Sequence, residues 1–272
     1  MMTSTRRIKV EHLMGTVFSI DVRDPEVGDG VLDEAFAGLH QVDQRFSPFI
    51  AGSEISRLGR GEVTLDDCHA DVAAVLSLCE DLRLATSGVF NAWGWRADGR
   101  VDPSGVVKGW AADRAAHMLE QAGAANFCIN AGGDVIVRGA PEPGRAWHIG
   151  IRHPIDASGL AAVLEAHQLA VATSGTYERG DHIIDARTGA ASSPLLSLTV
   201  AGPSLTLADA YATAGIAMGM AGIEWVAAQP GYEPYAVTRE GRVRYSDGFA
   251  ALLTRQERDL SATREFAPLR PH

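Results

Sequence analysis

Asn126-Phe127-Cys128-Ile129-Asn130-Ala131-Gly132-Gly133-Asp134-Val135-Ile136-Val137-Arg138-Gly139 is the stretch that decides the fold class. Two runs rich in Phe, Ile and Val flank Gly132-Gly133-Asp134, so the segment reads as two strands joined by a glycine turn. Strands joined so tightly run antiparallel, because a parallel pair needs a long crossover. Outward from this hairpin the same grammar repeats. On the N-terminal side Ile8-Lys9-Val10 and Val17–Val22 flank a Gly15-Thr16 turn, with apolar residues at alternate positions. On the C-terminal side strands are expected at 147–151, 169–173, 182–185, 196–200, 235–237 and 243–245. Helical spacing appears in separate blocks: 30–45 through Leu32, Phe36 and Leu39, 69–86 through Val72, Val75 and Leu82, and Lys108 to Ala122 closed by Gly123. A short helix can start at Ser53, whereas 89–107 reads as loop and short strands. Paired strands with helices in blocks indicate an α+β fold, mostly antiparallel sheets with packed helices, over a doubly wound one.

Ser204 to Gly219 is an apolar helix with a polar mouth, and residues 222–228 continue it. Ser204 or Thr206 can cap it. Asp209 and Thr213 are the polar side chains inside, spaced i, i+4 and therefore on one face. A carboxylate beside a hydroxyl suits a hard cation such as Mg²⁺ or Ca²⁺. Taken alone, the pair reads first as an Asp placed for the helix dipole and a Thr bonded back to its own helix.

The chain has 272 residues and a formal net charge of −10, which argues against nucleic acid or an anionic membrane as main partner. Cys68, Cys79 and Cys128 are an odd number without metal-site spacing, so free buried thiols are expected. No apolar run is long enough to span a membrane or form a signal peptide, and a cytoplasmic protein is the expectation. No internal repeat or linker divides the chain. One domain over 1–254, either undivided or of two interleaved subdomains, and a loose tail over 255–272 are expected.

Three further stretches carry candidate chemistry. In Val101-Asp102-Pro103-Ser104-Gly105-Val106-Val107-Lys108, Asp102 can accept bonds from a ligand, Gly105 can expose a carbonyl to a metal, and Lys108 can meet a phosphate. An ordinary capping loop reads the same way. Gly132-Gly133 could lie against a flat ring, or simply turn a hairpin. Residues 173–189 concentrate hydroxyls around His182, the best general-base candidate of nine histidines. Ser174-Gly175 lacks the surroundings of a nucleophile elbow, which disfavours a Ser–His–Asp hydrolase.

Together these stretches resemble the ApbE family of FAD:protein FMN transferases over roughly residues 12 to 250. The resemblance is carried by Met14-Gly15-Thr16, Phe46-Ser47 through Leu58, Val101-Asp102 through Arg114, Asn130 through Asp134, Ser174-Gly175, His182 through Gly189, and Ala208 through Thr213. It implies an ApbE-like, T-fold-related architecture. It also implies a Mg²⁺-dependent enzyme that splits FAD and attaches FMN to a Thr or Ser hydroxyl of an acceptor flavoprotein, releasing AMP. Position by position, it implies Asp209, Thr213 and the Gly105 backbone oxygen as metal ligands. Met14, Phe49, Val89-Phe90-Asn91, Asp102, Lys108, Ser174 and Ile184 match the flavin-binding segments, and His182 matches a residue that activates the acceptor hydroxyl. Phe49 stands where the family usually has Tyr, Asn91 where Asp is common, and Ala186 where Pro is usual. An FAD pyrophosphate hydrolase and a non-catalytic FAD-binding protein are the alternatives.

Overall fold

The computed structural model describes residues 6–93, 100–156, 158–175 and 194–257. Among them, the deciding segment forms β3 (Phe127–Ala131) and β4 (Asp134–Arg138), antiparallel, with Ala131 opposite Asp134. Only Gly132 (φ 67°) and Gly133 (φ 106°) separate the two strands. Both occupy the left-handed half of backbone space that glycine enters without steric cost. At Gly132 a side chain is also barred by contact, since its Cβ would fall 2.3 Å from Thr16 Oγ1.

The remaining strands are β1 (Arg7–Leu13), β2 (Thr16–Val22), β5 (Trp147–Arg152), β6 (Leu160–Ala166), β7 (Gln168–Gly175), β8 (Leu195–Gly202), β9 (Glu233–Thr238) and β10 (Val243–Tyr245). Eight of them form one sheet in the order β1-β2-β3-β4-β7-β8-β9-β10. Every adjacent pair in it is antiparallel. β5 and β6 make a separate hairpin.

The period-two alternation of the strands gives the sheet two apolar faces. Phe127, Ile129, Ile136, Ala170, Ala172 and Val200 face one core, shared with the helices α1 (Asp29–Phe46), α3 (Ala70–Ala85) and α4 (Ser104–Gln121). The short α2 (Glu54–Gly59), capped by Ser53, contributes Ile55 to it. The opposite face carries Val137, Leu169, Val171 and Tyr235, covered by Ile149, Leu164 and Phe249. The molecule is therefore layered as helices, sheet and a covering hairpin.

The polar-mouthed helix is α5 (Leu205–Met218), which ends at Gly219 (φ 66°) where α6 (Met220–Ala227) begins. It is apolar nearly all round because it is buried nearly all round. Its neighbours approach backbone to backbone. A Cβ on Gly109 of α4 would lie 2.6 Å from the Leu205 carbonyl oxygen, and one on Gly222 of α6 would lie 1.9 Å from that of Gly215.

The structure differs from expectation at four places. α4 starts at Ser104, four residues before Lys108, because Asp102 accepts the Ser104 backbone N–H and Pro103 takes the capping position. The described parts of 89–107 hold no strand before that helix. β6 was not expected from its Ala-Ala-Val-Leu-Glu composition. Pairing with β5 buries Ala162 and Leu164 on one face, and tertiary packing overrides the weak local preference. A further helix, α7 (Asp247–Leu252), was also missed; its Phe249 is fully buried. The strand expected at 182–185 and the tail beyond 257 lie outside the described residues.

Candidate functional site

The glycine turn places Asp134 first in β4, sharing a face with Ile136, and therefore pointing toward the helices. A carboxylate there is costly unless it is paired and hydrogen-bonded. It is both. Asp134 Oδ1 accepts the Thr173 backbone N–H at 2.9 Å, and Oδ2 accepts a hydrogen bond from Lys108 Nζ. Lys108 lies in the second turn of α4, the helix opened by the Asp102 turn. Its ammonium also stands 2.9 Å from Asp209 Oδ2 on α5. That approach is an ion pair but lacks hydrogen-bond geometry, for Asp209 Oδ2 is buried and accepts no hydrogen bond among the described residues. The three charges sum to −1, with one carboxylate oxygen left open.

One turn along α5, Thr213 Oγ1 lies 3.3 Å from Ser174 Oγ at the end of β7. Gly105 opens the opposite wall: a Cβ there would sit 3.7 Å from Thr213 Cγ2 and 3.0 Å from the Phe90 ring. Residues from α4, α5, β4 and β7 thus converge at one end of the sheet. Asp209 is 7% exposed and Lys108 retains 25% of its side-chain surface, so solvent or a ligand reaches the site from the lysine side.

What fixes α5 here is a carboxylate from its neighbour. Asp113 of α4 accepts four hydrogen bonds at the start of α5, from Ser204 Oγ, the Leu205 and Thr206 backbone N–H groups, and Thr206 Oγ1. It satisfies orphan donors and adds negative charge at the positive end of the helix dipole.

The other expected site residues are placed as follows. Met14 (φ 52°) occupies the β1–β2 turn, beside the Gly132 turn through Thr16. Asp102 is 7% exposed and accepts the Ser104 N–H. Val89 and Phe90 are buried, and Asn91 accepts the Trp93 backbone N–H. Phe49 is 82% exposed in the turn after α1. His182 and Ile184 lie outside the described residues. Among the described residues the structure unites Gly105, Lys108, Ser174, Asp209 and Thr213, with Phe90 against Gly105. Asp134 and Asp113 were missed as members of the site. The signal for Asp134 was legible: an acid two positions before Ile136 on the inward face of a strand demands a buried cation.

No group of three or more His, Cys, Asp or Glu side chains gathers for a metal among the described residues. A Mg²⁺ site does not require one, since hydroxyl, carbonyl, water and phosphate oxygens complete its shell. The open Asp209 oxygen and the Thr213 hydroxyl fit such an ion, and Gly105 lies beside Thr213.

The ApbE family model matches residues 14–93 and 95–236. Curated relatives named FAD:protein FMN transferase include one from Klebsiella pneumoniae, 30% identical over 58% of this chain and 47% of its own length. The relative from Escherichia coli K12 is 32% identical over 52% of this chain and 43% of its own length. The chain thus spans about half the length of these relatives. The Haemophilus influenzae relative matches at 24% identity over 93% of this chain and 90% of its own. Among solved structures, the ApbE protein of Thermotoga maritima superposes with a TM-score of 0.79 at 22% identity, covering 92% of this chain and all of that one. Flavin transferase ApbE from Vibrio cholerae gives 0.79 at 23%, over 92% and 100% of the two chains.

Proposed function

This chain belongs to the ApbE family, and on that premise we propose that it transfers FMN from FAD to a Thr or Ser hydroxyl of an acceptor flavoprotein, releasing AMP. The observation that carries this reading is the buried Asp209 oxygen that accepts no hydrogen bond among the described residues, beside Lys108 and Asp134, three groups whose charges sum to −1. Asp209, Thr213 and the Gly105 backbone oxygen would hold Mg²⁺. When bound, the ion neutralises charge on the pyrophosphate oxygens.

The chain's own residues do the rest. Lys108, partly exposed at the rim, meets a phosphate oxygen. Ser174 and Thr213 present hydroxyls to the same space. The backbone at Gly133, with open space where a side chain would stand, gives a bare surface that suits a ring system. In the transfer, the acceptor oxygen bonds to the FMN phosphorus and the phosphoanhydride bond to AMP breaks. AMP leaves with the electron pair, and His182 takes the proton from the acceptor hydroxyl. The names of the curated relatives support FMN transfer from FAD to a protein.

The test is incubation of the full chain with FAD, Mg²⁺ and an acceptor protein carrying a flavinylation sequence. Covalent flavin on the acceptor is the expected product. Free FMN plus AMP would indicate hydrolysis with water as acceptor, and intact bound FAD a binding protein. Asp209→Ala is expected to abolish metal-dependent turnover, and unchanged turnover would remove the metal assignment.

A further inference from the structure

We propose that Asp134 is a positioning residue which keeps the Asp209 oxygen open for the metal by drawing the Lys108 ammonium onto itself. The inference rests on the metal assignment above. Lys108 stands between two carboxylates and treats them differently. Its hydrogen bond goes to Asp134, whereas Asp209, 2.9 Å away, receives charge without a hydrogen bond. Asp134 is itself fixed, because its other oxygen takes the Thr173 backbone N–H of β7. The sheet thus anchors the carboxylate, the carboxylate anchors the ammonium, and Asp209 is left compensated but not occupied.

Two opposing effects follow. The Lys108 charge competes with any cation at Asp209, so removing it leaves an unneutralised carboxylate and tightens metal binding. Removing the Asp134 charge releases the ammonium to hydrogen-bond Asp209, which closes the open oxygen and weakens metal binding. In Asp134→Asn the amide oxygen still accepts the Thr173 N–H, while the amide N–H₂ faces the ammonium and turns it toward Asp209. If Asp134 merely supported the fold, Asp134→Asn would weaken binding equally with and without Lys108.

Mn²⁺ titrated into the full chain without flavin, with free Mn²⁺ followed by its paramagnetic resonance signal, reads these effects directly. Lys108→Met is expected to bind about tenfold tighter than the parent, and Asp134→Asn about tenfold weaker. In the double variant, affinity is expected to stay within about threefold of Lys108→Met, because Asp134 acts through Lys108. Equal weakening by Asp134→Asn in both backgrounds would mean a direct charge effect and overturn the proposal, as would unchanged or weaker binding in Lys108→Met. If Asp134→Asn fails to fold, Asp134→Ser takes its place, with the same expected weakening and the same dependence on Lys108. Parent binding that is absent, or that survives Asp209→Ala, would overturn this inference and the metal assignment together. Asp209-dependent binding without the opposing signs would overturn this inference alone.

Discussion

Single side chains in this protein are read best by what they would leave unpaired. Asp209 is a buried acid whose oxygen finds no hydrogen-bond donor among the described residues, an arrangement that costs stability unless a ligand uses it. Thr213 and Asp102 are bonded within the protein, so their availability to a ligand follows from position rather than from an unmet need. His182 is assigned by residue type and family position. His182→Ala is expected to lower the rate of transfer by about 10²- to 10⁴-fold with FAD affinity little changed. Separate measurement of single-turnover rate and FAD binding checks it, and an effect on binding alone would remove the proton-acceptor role.

At the scale of elements, the site depends on how α4 meets α5. Gly109 lets the two backbones touch, and Asp113 grips the first turn of α5 through four hydrogen bonds. Gly109→Ala gains about 1 kcal/mol of helix propensity but drives a methyl group into the Leu205 carbonyl. The overlap involves backbone and cannot be relieved by a rotamer, so a net loss of about 1–3 kcal/mol is expected, read as a lower urea midpoint. Asp113→Ala strips the cap and leaves buried N–H groups unpaired. A loss of about 2 kcal/mol or more is expected, with faster amide exchange confined to the first turn of α5. Uniform acceleration across the chain would show that Asp113 supports the whole fold rather than this helix end.

For the whole molecule, alkaline pH is the condition that exposes how the cores are built. Burial pushes the Cys79 and Cys128 thiols from 9.0 up to about 12, and the Tyr232 hydroxyl from 10.0 to about 12. Above about pH 9 the unfolded chain sheds thiol protons that the folded chain keeps, so the proton count favours unfolding. Stability is therefore expected to fall as pH rises from about 9 toward about 12, followed by urea midpoints. Cys79→Ala is expected to flatten that slope, and a slope unchanged in Cys79→Ala and Cys128→Ala would reject burial as its cause. Cys68 is only partly buried and is expected to react with thiol reagents before the other two. The expectation of buried thiols thus holds fully for Cys79, whereas Cys128, though its thiol is shielded, and Cys68 keep part of their residue surface. No helix among the described residues is long and apolar enough to cross a membrane.

The sequence by itself determined the class of fold. The glycine turn between β3 and β4 and the alternation of Phe127, Ile129 and Ile136 are local features that leave little choice of pairing. It also marked Gly105, Lys108, Asp209 and Thr213, because each stands in a short segment with its own chemical logic. It could not show β6, whose residues become a strand only by docking on the sheet. Nor could it show that Lys108 turns its hydrogen bond to Asp134 instead of Asp209. That choice joins positions far apart in the chain, and it depends on where the sheet anchors one carboxylate and where α4 sets one ammonium. Which oxygen stays open is a property of that assembled geometry, and only the tertiary structure decided it.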